Sequence, residues 1–169
     1  MGFHDMTRID NGVDAALLAQ VHQLYGLQSH LIDGGSARAW AETFTPDGEF
    51  CSPSYPAPVS GTDDLEAFAV RFYTGAHDAD EVHRHVVTNV AVGRVDDDTL
   101  RVRAYLQIVA TARSGDSRLV RFTTIDDRVV RHGDTWLVDR RTVLATTHER
   151  CVVVTRFVSY LRRNFHDDH

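Results

Sequence analysis

Four β-type runs, at about residues 82–95, 99–112, 118–131 and 135–147, follow one another with little between them. The breaks read "VDDD", "RSGD" and "RHGD", turn chemistry suited to antiparallel hairpins. The second half of the chain is therefore expected to be a meander of long antiparallel strands.

The first half has helical spacing instead. Over residues 13–32, Val13, Leu17, Val21, Leu24, Leu27 and Leu31 recur in steps of three and four, the mark of an amphipathic helix. Gly34 and Gly35 end it. Ser36 is placed to cap a short second helix, "ARAWAETF", with Trp40 and Phe44 on one face. A short strand is expected around Glu49–Ser52, then a loop set by prolines 53, 56 and 58. Thr62 with Asp63 and Asp64 opens a third helix, because acids favour a first turn. The segment "RCVVVTRFVSYLRRNF" mixes strand and helix signals, and its second half reads as a helix or irregular tail.

Helices followed by a meander make an α+β fold, with the helices packed on one face of the sheet. A long sheet covering three helices curls and leaves a cavity beneath it. At 169 residues the chain is one domain, with a core over about 13–147 and a tail over 148–169. The net charge of −6 argues against nucleic acid or an anionic membrane as partner. No apolar run is long enough to span a bilayer and the N-terminus lacks signal-peptide features, so a cytoplasmic location is expected. Cys51 and Cys151 are then expected to be reduced thiols.

The run "EVHRHVVTNVAV" carries unusual polarity for a strand. Alternation puts His83, His85, Val87, Asn89 and Ala91 on one face, with Val82, Arg84, Val86, Thr88, Val90 and Val92 on the other. The first face mixes apolar and hydrogen-bonding groups, as a small-molecule pocket does. His85 and Asn89 are expected to face the cavity, with His83 nearer the strand's open end. "HRH" brings no Glu at metal-site spacing, and no His-Glu-x-x-His or Cys-x-x-Cys occurs, so no metal is expected. Serine-nucleophile elbows and glycine-rich phosphate loops are also missing. Helical stacking aligns Tyr25, Ser29 and Asp33. An acid at a helix C-terminus is electrostatically misplaced, which suggests that Asp33 has another purpose. Tyr105 faces either the cavity or the outside. Asp126 and Asp127 are expected to be solvated, Trp136 to be core, and Arg140 and Arg141 to point to opposite faces.

The ordered pieces "LIDGGSARAWAETFTPDGEF", "SGTDDLEAF", "RHVVTNVAV" and "HGDTWLVDRR" resemble the nuclear transport factor 2-like superfamily, and within it the SnoaL-like polyketide cyclases and dehydratases. That resemblance implies a cone-shaped antiparallel sheet around three N-terminal helices. It places Asp33 where these enzymes and scytalone dehydratase have a catalytic acid, and His85 where scytalone dehydratase has a histidine. The second histidine of that enzyme has no counterpart in "YLQIVATA".

The combined expectation is a cofactor-independent cyclase or dehydratase acting on a carbonyl-bearing, polyketide or aromatic molecule. Asp33 and His85 are its acid–base pair, in either order of roles. Tyr25, Asn89, Tyr105 and Trp40 are its candidate substrate contacts. Two alternatives share the fold. One is a non-catalytic partner like the β subunits of ring-hydroxylating dioxygenases. The other is an epoxide hydrolase or isomerase, which would need an Asp–Arg–Asp group or a late-strand acid. A homodimer through the outer sheet face is expected as well.

Overall fold

The computed structural model describes residues 12–144. Cys151 and the segment read as a tail lie outside the described residues. Helix α1 (Ala15–Asp33) starts where the Asp14 carboxylate accepts the Leu17 N–H at 2.8 Å. It ends in a tight reversal at Gly34 and Gly35. Gly35 has φ +75°, and a Cβ there would meet the Tyr73 ring at 3.0 Å, so glycine is required on both counts.

Helix α2 (Ala37–Ala41) is three residues shorter than its sequence suggests. The sheet captures the chain first: the Thr43 carbonyl accepts the Val138 N–H, and Phe44 opens strand β1 (Phe44–Cys51). The Trp40 and Phe44 rings still meet, with centroids 5.0 Å apart. Strand β2 (Val59–Ser60) precedes helix α3 (Thr62–Asp78). Then come β3 (Glu81–Arg94), β4 (Thr99–Ala112), β5 (Ser117–His132) and β6 (Thr135–Leu144), matching the four β-type runs.

The six strands form one curved, unclosed sheet in the order β2-β1-β6-β5-β4-β3. Neighbours are antiparallel except β1 and β6, which run parallel. Parallel pairing needs a long return path, and β2, α3 and strands β3 to β5 provide it. Strand β4 shows how the layers separate. Leu100, Val102, Ala104, Leu106 and Ile108 are buried on the inner face, while Arg101, Arg103, Tyr105 and Gln107 alternate outward. Leu17, Val21 and Leu24 of α1 join the same core.

Besides an irregularity between Phe44 and Glu49 on β1, three register shifts interrupt the alternation. They fall between Thr88 and Ala91 on β3, at Val120 on β5, and at Asp139 on β6. Each bulge changes which side chains face inward beyond it.

Candidate functional site

A cavity of about 230 Å³ opens between the helices and the inner sheet face. Its walls are largely aromatic and aliphatic, with Trp40, Phe68, Phe72 and Leu106 among them. Two polar centres interrupt this lining.

The first is a histidine–carboxylate pair. Asp33, the last residue of α1, reaches His85 on β3. One carboxylate oxygen lies 2.6 Å from His85 Nδ1, and the other accepts the His85 backbone N–H at 2.9 Å. Both side chains are well covered, 7% exposed for Asp33 and 12% for His85. The His85 ring packs against Phe72, 4.8 Å between centroids. Held at Nδ1, the imidazole leaves Nε2 as its free nitrogen on the cavity side, which is the arrangement of a proton carrier oriented by an acid. His83 lines the cavity too, nearer the strand's end, with Nε2 3.1 Å from Glu81.

The second centre lies deeper. Tyr25 and Asp33 are eight residues apart on α1, about 12 Å along the helix axis. There Arg141 binds Asp127 through Nε at 3.0 Å and Nη2 at 2.7 Å, and donates to Gln28 at 2.8 Å. Tyr25 donates its hydroxyl to Asp127 at 2.5 Å. Gln28 in turn donates to Thr43 at 2.7 Å. Burial, reinforced by the Asp127 charge, pushes the Tyr25 phenol well above its ordinary value. Burial also opposes the Arg141 charge, but Asp127 more than compensates and holds that guanidinium above its ordinary value.

Several expectations need correction. Asn89 does not face the cavity. It sits in the β3 bulge with φ +53° and is exposed, a conformation asparagine tolerates better than most residues. Ala91, beyond the bulge, is exposed as well, and Val92, grouped by alternation with the exposed Val82 and Val86, is in the core instead. Tyr105 is on the outer face, 45% exposed, with its ring edge-on to Phe122 at 6.0 Å. Asp127 is 0% exposed rather than solvated, while Asp126 does face outward, in a two-bond pair with Arg101. Trp40 and Tyr25 line the cavity, but the Tyr25 proton is committed to Asp127.

Gln28, Asp127 and Arg121 were not singled out in the sequence as site residues, and of Arg140 and Arg141 only one was expected to enter the pocket, without a choice between them. Two of them carried a signal. Gln28 lies on the buried stripe of α1 with Leu24 and Ile32. Asp127 alternates with the buried Ile125 and Val129. Among the described residues no group of three or more His, Cys, Asp or Glu is placed to hold a metal ion. No second carboxylate pairs with Arg141 among them either, so an Asp–Arg–Asp group is not assembled there.

Helices packed in a curved sheet, with a cavity between them, define the nuclear transport factor 2-like class of α+β proteins. The model of the SnoaL-like domain matches residues 14–142, and the chain belongs to that family. Among solved structures, Aln2 from a Streptomyces species is 25% identical with a TM-score of 0.72, covering 79% of this chain and 93% of that one. A Catenulispora acidiphila protein in complex with S-DNPA is 28% identical, TM-score 0.67, covering 77% and 93%. ActVI-ORFA from Streptomyces coelicolor is 26% identical, TM-score 0.69, covering 76% and 96%. No curated protein matches the sequence.

Proposed function

We propose that this chain is an enzyme that moves protons on a carbonyl-bearing, polyketide or aromatic small molecule, in a cyclisation or a dehydration, without a cofactor. The observation that carries the reading is the double contact between Asp33 and His85 at the cavity wall. His85 Nε2 takes the proton from the carbon next to the substrate carbonyl. Asp33 stabilises the imidazolium that forms. The electron pair moves onto the carbonyl oxygen as an enolate. In a cyclisation the enolate carbon attacks a second carbonyl of the same molecule, whose π pair moves to its oxygen, and that alkoxide takes the proton back from the imidazolium. In a dehydration it collapses to expel a β-hydroxyl, and the imidazolium returns its proton to that group so that water leaves.

An enolate needs a donor. Asn89 is outside the cavity and the Tyr25 proton is committed. Arg141 lines the cavity, and its bonds to Asp127 and Gln28 use Nε and Nη2, which leaves Nη1 for this role. The solved complex of the Catenulispora acidiphila relative with S-DNPA supports a small-molecule ligand for the fold. An aromatic lining favours a flat ligand.

The test needs no knowledge of the natural substrate. The protein is incubated with 1-tetralone in D₂O, and exchange of the protons beside the carbonyl is followed by NMR. Catalysed exchange that disappears in His85→Ala supports the reading. Equal exchange in wild type and His85→Ala would sink it.

A further inference from the structure

The charges around the cavity are distributed unevenly. The chain as a whole carries −6. The cavity lining nevertheless contains Arg121, Arg141, His83 and His85, and no Asp or Glu. Three carboxylates stand behind it instead: Asp33 behind His85, Glu81 beside His83, and Asp127 behind Arg141. Each answers a basic group that lines the cavity. Arg121 differs from the other three. It lines the cavity half-buried, and no carboxylate pairs with it among the described residues.

Its position depends on the β5 bulge. Val109 pairs with Leu119 and Ile108 with Arg121, so Val120 is the extra residue. Both Val120 and Arg121 consequently line the cavity, while Leu119 and Phe122 on either side are exposed. The register also aligns Arg121 with the acid–base pair. His85 pairs with Ile108, and Ile108 with Arg121, so the three form one rank across β3, β4 and β5. Two strand spacings put the Arg121 and His85 backbones about 10 Å apart. A guanidinium on a long side chain can reach most of the way across that gap.

We propose that the substrate is an anion, and that Arg121 binds its carboxylate a few bonds from the carbon that His85 deprotonates. A guanidinium with no carboxylate partner among the described residues, in a partly closed cavity, attracts anions over a short range, and its planar fork matches a carboxylate with two parallel hydrogen bonds. Deeper in the cavity, Arg141 is paired with Asp127 and its remaining Nη1 is assigned to the enolate oxygen, which leaves Arg121 for a carboxylate. The inference rests on the cavity being the substrate site, as the proposed function has it.

The test compares 2-naphthylacetate with its neutral amide, 2-naphthylacetamide, by calorimetry on the full chain. The acid is expected to bind at least about 10-fold tighter than the amide, and to weaken as ionic strength rises. Arg121→Gln should remove that preference, while His85→Ala keeps it. The His85→Ala arm separates the two claims, because anion binding does not require proton transfer and tetralone exchange does not require an anion. Equal affinity for acid and amide, failure of the acid to bind at millimolar concentration, or an unchanged preference in Arg121→Gln would overturn the proposal.

Discussion

Asp33 binds His85 twice, through the ring nitrogen at 2.6 Å and through the backbone N–H at 2.9 Å. The second contact ties the end of α1 to β3 whatever the protonation state of the ring. The first then selects the nitrogen that is left for the cavity. A carboxylate at a helix C-terminus is disfavoured by the helix dipole, and here two hydrogen bonds from a neighbouring strand offset that cost.

The first prediction concerns turnover. His85→Ala and Asp33→Asn should each lower activity on the true substrate by roughly 10²–10⁴-fold, the usual worth of general acid–base catalysis. His83→Ala should be much milder, because His83 lies nearer the end of β3 and has a separate partner in Glu81. Steady-state assays of the three variants side by side decide this. Full activity in both His85→Ala and Asp33→Asn would move the non-catalytic subunit reading ahead.

The second concerns stability. Asp127 and Arg141 form a buried pair, and removing one partner strands the other charge. Asp127→Ala should cost about 3–5 kcal/mol, and adding Arg141→Met should recover a large part of it. Urea unfolding of the single and double variants measures both. A double variant no more stable than the single would show that the stranded charge is not the cause.

The third concerns alkaline pH. The folded Tyr25 phenol is held above its ordinary value of 10.0, first by burial and then by the Asp127 charge. The stability it contributes is therefore complete below about pH 10 and is lost as pH rises beyond, because the unfolded chain gives up the proton first. Ultraviolet titration should show Tyr25 ionising only as the protein unfolds. Tyr25→Phe should flatten the alkaline fall in stability. Reversible ionisation of Tyr25 in the folded protein near pH 10 would contradict this.

The fourth concerns association. On the outer face of the sheet, Val86, Gln107 and Phe122 form one rank, and Tyr105 packs edge-on to Phe122. Phe122 is 47% exposed, and Val82 and Leu119 are exposed nearby. An apolar patch of this kind marks an interface, and a homodimer through it is expected. Sedimentation at micromolar concentration should show a dimer that Phe122→Glu converts to a folded monomer. A monomeric wild type would end this reading.

The sequence by itself determined the type and order of the three helices and the four long strands, but not the short β2 or the full extent of β1. Apolar steps of three and four over residues 13–32, and the Asp- and Gly-containing breaks between strands, act over a few neighbouring residues, so they can be read without tertiary context. Asp33 stood out because its charge conflicts with its local position. His85 stood out because it interrupts an apolar strand.

Only the tertiary structure decided which side chains enter the cavity, because strand alternation fails at each register shift. The β3 bulge turns Asn89 out to solvent. The β5 bulge brings Arg121 in. On β6, Trp136 and Val138 face inward, and simple alternation from them would bury Arg140. The extra residue Asp139 exposes Arg140 and buries Arg141 instead. A bulge is set by how two strands distant in sequence pair and twist, and a one-residue slip inverts every face beyond it. Local spacing carries no record of that pairing, so Asp33 and His85 were visible in the chain while the cationic surroundings of the pair were not.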